Sequence, residues 1–214
     1  HGRMAAGERS EAQEKFMKPG GRAVMVATSA FGLGIDRPDI RYVLHFQSPA
    51  SLEQYVQEAG RAGRDGRGAH CLLLHSAGDR AIHESLLARS RVRPEQLYRV
   101  GRALAAWAGE GRAPTLEALA LSAELGPRVT AALLAAIAGA GLVRWTDSTL
   151  EITAPAESIE SDVRRLAGSF ETLRTQDGRR LEAIDTYVLA PGCRAAFLRG
   201  YFGEEEGERC GLCD

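Results

Sequence analysis

Lysine is almost missing from this chain: Lys15 and Lys18 stand alone among 27 basic residues. The positive charge is therefore arginine, which makes flat, two-pronged contacts with phosphate and carboxylate groups. A GC-rich genome produces the same bias. With a formal net charge of -1 the surface is not basic overall, so any nucleic-acid contact has to be local. No apolar run approaches the roughly 20 residues of a membrane span, and no signal peptide opens the chain, so no membrane association is expected. There is no Gly-x-x-x-x-Gly-Lys-Ser/Thr loop, so the sequence has no phosphate cradle of its own. Internal repeats and low-complexity tracts are also lacking, and Glu204-Glu205-Glu206 reads as a short solvated turn. Hydrophobic content of 44% and charged content of 26% are ordinary for a globular protein. The chain opens at His1 without methionine and closes on Cys210-Gly211-Leu212-Cys213-Asp214, which reads as an interrupted motif, so a piece of a longer protein is expected.

The first part alternates strand and helix. Residues 4–16 have a helical pattern that ends at Pro19-Gly20-Gly21. Ala23–Ala27 reads as a buried parallel strand, Arg41–Phe46 as a second strand and Ala69–His75 as a third. Ser51 is placed to cap a helix that runs toward Gly60, and 77–90 reads as another helix. Alternation of this kind predicts a parallel sheet covered by helices. From Arg93 the pattern changes. Leu97, Val100, Leu104 and Trp107 share one helix face. A short helix after Thr115 stops near Gly126, Pro127 opens the next, and that helix ends at Gly139-Ala140-Gly141. Residues 142–145 and 149–152 then flank Thr146-Asp147-Ser148 as a β-hairpin, so three helices and a hairpin predict a winged helix-turn-helix. Residues 158–189 read as a helical hairpin broken at Asp177-Gly178.

Two glycine-broken turns carry the chemistry. One is Ala27-Thr28-Ser29-Ala30-Phe31-Gly32-Leu33-Gly34-Ile35-Asp36-Arg37-Pro38 and the other Gln57-Glu58-Ala59-Gly60-Arg61-Ala62-Gly63-Arg64-Asp65-Gly66. Glycine lets a backbone approach phosphate closely, and arginine offsets the charge that develops on a transferring phosphoryl group. A lone arginine in a turn more often makes a surface ion pair of small worth. Here the whole string matters. Together with His1-Gly2-Arg3 and the terminal cysteines, it resembles the RecQ family of DNA helicases, with motifs IV, V and VI in order.

The resemblance implies an α/β fold: a RecA-like parallel-sheet lobe, truncated at its N-terminus, over residues 1–92. An α-rich winged-helix domain over 93–155 and a helical hairpin with a zinc-binding segment over 156–214 would follow. It implies an ATP-dependent 3′–5′ DNA helicase of superfamily 2, of which this is the C-terminal portion. ATP and Mg2+ would be bound mainly by the first RecA-like lobe of the same protein, so the isolated chain is expected to be inactive. Arg61 and Arg64 match the motif VI arginines that reach the nucleotide phosphates, with Arg64 the arginine finger, and Gln57 matches the glutamine near the nucleotide. Asp36 matches the motif V acid near the ribose or the interlobe water network, and Gly34 belongs to the same nucleotide-side turn. Thr28 and Gly32 would contact the DNA backbone or couple it to ATP, and His1 and Arg3 would lie on the strand-tracking surface. Single-stranded and duplex DNA are the implied partners, in a bacterial cytoplasm and associated with the nucleoid.

Cys193, Cys210 and Cys213 have the spacing Cys-x16-Cys-x2-Cys, which suits tetrahedral zinc. In the family such a site has a fourth cysteine one further Cys-x2-Cys step on, and the zinc is structural. Cys71, in an apolar strand, is expected to be a core thiol. The tail departs from the usual RecQ order, because the winged-helix pattern precedes Cys193, and this resembles a divergent bacterial subgroup. The second helix of the turn, from Pro127-Arg128-Val129, has few basic groups, so scaffolding and DNA binding both remain open for it. Arg144 and Trp145 on the wing are the candidates for phosphate contact and base stacking. The rival reading is a non-catalytic zinc and winged-helix DNA-binding module with a degenerate helicase lobe.

Overall fold

A computed structural model describes residues 4–18, 23–28, 36–90, 92–146, 149–205 and 208–213. The chain divides into two compact units: residues up to 84 together with 179–214, and residues 85–178.

In the first unit, β1 (Tyr42–His45) pairs in parallel with β2 (His70–Leu73), with Tyr42 opposite His70 and His45 opposite Leu73. Parallel neighbours need a crossover, and α2 (Leu52–Ala59) supplies it. It starts as the sequence requires: the Ser51 hydroxyl accepts the Gln54 amide at 3.2 Å. Its inner face, Leu52 and Tyr55, packs against Ile184 and Tyr187 of α7 (Ala156–Leu189) and against Phe197 and Leu198 of α8 (Arg194–Tyr201). Aromatic rings run from His45 through Tyr55 and Tyr187 to Phe197, with centroids 5.1, 5.3 and 5.6 Å apart. Arg194 closes the end of α7 by donating to the carbonyls of Tyr187 and Val188. At the start of α3 (Ala77–Ser90) the buried Asp79 carboxylate accepts the Ser48 and Ser76 amides at 2.9 and 3.1 Å. Burial opposes ionisation there, but the two amides, the Ser48 hydroxyl and His75 together hold the carboxyl below its ordinary range. Arg37 stacks on Phe16 at the end of α1 (Ala6–Met17) and pairs with Asp39, which ties that helix to the segment before β1.

Two expectations fail in this unit. Ala23–Thr28 is described but forms no strand, and Val24 and Val26 are 93% and 90% exposed. An apolar run becomes a strand only where a neighbour pairs its amides and carbonyls, and the sheet among the described residues contains β1 and β2 alone. Cys71 is exposed rather than in the core, with its Sγ 3.6 Å from the Ala59 carbonyl. It shares its face of β2 with Leu73, which packs against the Leu52–Tyr55 cluster, and among the described residues meets only the C-terminal end of α2.

The second unit follows the helical periodicity. α4 (Pro94–Gly109), α5 (Leu116–Ser122) and α6 (Pro127–Gly139) precede an antiparallel hairpin of β3 (Val143–Thr146) and β4 (Thr149–Ile152). Leu97, Val100, Leu104, Leu119, Leu134, Ile137, Leu150, Ile159 and Val163 are fully or almost fully buried in one core. Pro94 and Pro127 open their helices, and the Thr115 hydroxyl caps α5 through the Ala118 amide at 3.2 Å. Gly101 lets α4 approach α7 closely, since a Cβ there would lie 2.9 Å from Val163 Cγ1. Glu124, in the α5–α6 turn, has φ 51, and Arg99 holds both its carbonyl and its carboxylate, at 2.6 and 2.8 Å.

Residues 156–189 are a single helix, not a hairpin. Glycine at 178 costs about 1 kcal/mol in a helix interior, too little to end a helix with no proline and with apolar residues buried on both sides. Ile159 and Val163 lie in one unit's core, Ile184 and Tyr187 in the other's. No single helix among the described residues is long and apolar enough to cross a membrane.

Candidate functional site

The two arginines follow α2 on a turn that the backbone fixes closely. Gly60 caps the helix, its amide 2.8 Å from the Val56 carbonyl. The Gly63 amide donates to the Ile40 carbonyl at 2.9 Å and the Asp65 amide to Pro38 at 3.3 Å. Gly63 has φ +64, and a Cβ there would lie 2.8 Å from the Arg67 carbonyl oxygen. Arg41 clamps the far side. It pairs with Asp65 and donates to the carbonyls of Arg67 and Gly68, both at 3.2 Å. The Arg67 amide and the Arg41 guanidinium hold the Asp65 carboxyl below its ordinary range.

Within this frame Arg64 Nη1 donates to Asp36 Oδ1 at 2.9 Å, and its Nε to the Gly60 carbonyl at 3.3 Å. The acid of one motif thus meets the arginine of the other. The Asp36 side chain is 85% exposed and that of Arg64 42%, so the pair is weak and can be exchanged for another anion. Arg61 is half-buried on the same turn, and Gln57 is exposed on the last turn of α2. Thr28 is exposed in the irregular 23–28 segment, and no hydrogen bond joins it to the arginine turn among the described residues. His1, Arg3, Gly32 and Gly34 lie outside the described residues. Arg144 sits directly opposite Glu151 on the hairpin and pairs with it at 3.3 Å, while the neighbouring Trp145 is 44% exposed.

Sequence reasoning missed the residues that hold this turn in place. Arg41 and Asp65 form the clamp, and His45 on β1 meets Glu58 on α2, with Nε2 2.9 Å from Oε2. The one available signal was position: His45 sits in an otherwise apolar strand, where a polar ring requires a partner.

The second cluster is sulfur. Cys193, at the N-terminus of α8, has its Sγ 3.4 Å from that of Cys210 and 3.8 Å from that of Cys213, and the latter two are 3.0 Å apart. The Cys210 amide points at Cys193 Sγ at 3.3 Å and the Leu212 amide at Cys210 Sγ at 3.5 Å. Gly211, with φ +67, lets the chain turn between the two. The Cys210 and Ala196 amides pull the Cys193 thiol down to about 6, toward the thiolate a metal binds. Bonding to Cys210 pushes the Cys213 thiol up. These three sulfurs could hold a metal ion.

The family model described as the helicase conserved C-terminal domain matches residues 1–66. An ATP-dependent DNA helicase RecQ of Bacillus subtilis (strain 168) is 49% identical over 96 residues, which is 45% of this chain and 16% of that protein. ATP-dependent DNA helicase Q4 of Homo sapiens is 54% identical over 80 residues, 37% of this chain and 6% of that protein. A RecQ-like DNA helicase BLM of Xenopus laevis is 49% identical over 79 residues, again 37% and 6%. The chain thus spans a small fraction of the length of these relatives.

Proposed function

We propose, from a chain whose N-terminal region is a RecQ-type superfamily 2 helicase C-terminal region, that it works as the trans-acting half of an ATP-dependent 3′–5′ DNA helicase. The first RecA-like lobe of the same protein binds ATP and Mg2+. Arg64 is the arginine finger. It leaves Asp36 and neutralises the charge that spreads over the γ-phosphoryl oxygens, and Arg61 contributes a second positive charge from the same turn. Gln57 faces the nucleotide from α2, and Asp36 then turns to the ribose or to the water between the lobes. The observation that carries this reading is the Arg64–Asp36 pair, a mostly exposed contact between two motifs that costs little to break. Intact motif residues argue against a degenerate lobe.

His1, Arg3, Thr28 and Gly32 would follow single-stranded DNA. In the α4–β4 segment, which we read as a winged helix, the wing offers Trp145 as a stacking face and Arg144 as a phosphate contact, whereas α6 is poor in basic groups and suits scaffolding. The functional segments 1–92, 93–155 and 156–214 then correspond to motor, winged helix and zinc region. For zinc, bonds of about 2.3 Å in a tetrahedron place sulfurs about 3.8 Å apart. The observed 3.0–3.8 Å separations and the amides aimed at two of the sulfurs fit Cys193, Cys210 and Cys213 as three of its ligands. Zinc would supply structural cross-linking there and no chemistry. The protein would act on the DNA of a bacterial nucleoid.

The test is Arg64→Ala in the full-length protein. DNA-stimulated ATP hydrolysis should fall by roughly a thousandfold or more while DNA affinity is unchanged. Wild-type turnover in that variant refutes the assignment.

A further inference from the structure

We infer that Glu58 is a positioning residue: paired with His45, it locks α2 to β1 and thereby sets where Arg61 and Arg64 stand during hydrolysis. The inference rests on the helicase reading above. The pair is enclosed, with side chains 7% exposed at His45 and 21% at Glu58. Both carboxylate oxygens are occupied: His45 Nε2–H donates to Oε2 at 2.9 Å and Gln54 Nε2 donates to Oε1 at 3.0 Å. Gln54 is itself held by the Ala50 amide, which donates to its Oε1 at 3.2 Å. The His45 ring lies against Tyr55, centroids 5.1 Å apart, and no hydrogen-bond partner meets its buried Nδ1 among the described residues. Among the described residues the ring has one hydrogen-bond partner, and it is Glu58.

Stability alone does not account for such a pair, because apolar residues of the same shape would hold the helix about as well. A directional bond does what apolar contacts do not. Leu52 and Tyr55 keep α2 on the sheet but tolerate small rotations and slips, whereas a hydrogen bond between fixed atoms does not. Glu58 occupies the last turn of α2, three residues before Arg61 and so on the same side of the chain's helical path. The Ile40 carbonyl holds the turn at Gly63, between the arginines, and beyond them it is pinned at Asp65 by the Pro38 carbonyl and by the Arg41 clamp. Arg61 and Arg64 therefore lie between two anchors, and Glu58 is the helical one. Misplacing a charge-stabilising group by about 1 Å costs on the order of a hundredfold in rate.

The experiment compares Glu58→Ala, Glu58→Gln and His45→Phe with wild type and Arg64→Ala, all in the full-length protein. DNA-stimulated turnover, KM for ATP, DNA affinity and thermal midpoint are measured for each. Glu58→Ala and His45→Phe should lower kcat about tenfold to a hundredfold, with KM and DNA affinity within about twofold. Glu58→Gln, which keeps an oxygen for His45, should recover most of the turnover. His45→Phe preserves the ring against Tyr55 and carries the test if Glu58→Ala does not fold. Wild-type kcat in His45→Phe overturns the proposal, and so does a Glu58→Gln variant as slow as Glu58→Ala. If Arg64→Ala is inactive while the Glu58 and His45 variants are normal, positioning alone fails. If Arg64→Ala is also normal, the helicase reading fails with it.

Discussion

Gly63 and Gly66 separate two reasons for glycine in the arginine turn. Both have positive φ, +64 and +78. An L-residue in that region costs about 1–2 kcal/mol, partly offset by about 0.4–1 kcal/mol because alanine restricts the unfolded chain. Gly66→Ala therefore costs only about 0.5–1 kcal/mol, since nothing lies within 4 Å of its added Cβ. Gly63→Ala meets the Arg67 carbonyl oxygen at 2.8 Å and Ala69 Cβ at 3.2 Å. That oxygen already accepts from Arg41 and cannot retreat without opening the clamp. Overpacking adds about 1–3 kcal/mol, which brings Gly63→Ala to about 2–4 kcal/mol. Tryptophan fluorescence would miss the effect, because Trp107 and Trp145 both belong to the other unit. Amide hydrogen exchange on peptides covering α2 and β2 reads it directly. At 1.4 kcal/mol per tenfold, protection should drop about thirtyfold to several hundredfold for Gly63→Ala and about twofold to fivefold for Gly66→Ala. Equal losses in the two variants would refute the steric account.

Two further outcomes follow from the packing and the sulfurs. Gly101→Val drives a side chain into Val163 across the α4–α7 contact and should cost about 3 kcal/mol by urea titration followed at Trp107; Val163→Ala on that background should recover part of the loss, and a Gly101→Val variant as stable as the parent refutes the close approach. The full-length protein should contain one zinc per chain by elemental analysis, and Cys210→Ser should release it and expose the α8 region to protease; unchanged metal content in that variant removes Cys210 from the site.

Much of the candidate site was legible because its chemistry is local. The string from Gln57 to Gly66 carries the turn, the arginines and the glycines within one short segment, and the cysteine spacing is a local signal as well. The order of α4 to β4 was legible from periodicity, since apolar positions at helical spacing and a short polar interval between two apolar pairs leave little choice. Glycine 178 misled because a helix break was inferred from propensity, and tertiary packing at both ends of α7 outweighs about 1 kcal/mol. Ala23–Ala27 misled because apolar character does not supply a pairing partner.

The sequence alone determined which groups are available: arginines in a glycine-rich turn, an acid two residues before a proline, three cysteines at metal spacing, and no Gly-x-x-x-x-Gly-Lys-Ser/Thr loop. Only the tertiary structure decided which groups meet. Arg64 reaches Asp36 across 28 residues of chain, and His45 reaches Glu58 because a parallel crossover lays α2 over β1. Charge pairing depends on separations of a few ångströms, and distance along the chain says nothing about these until the sheet and its covering helix have formed.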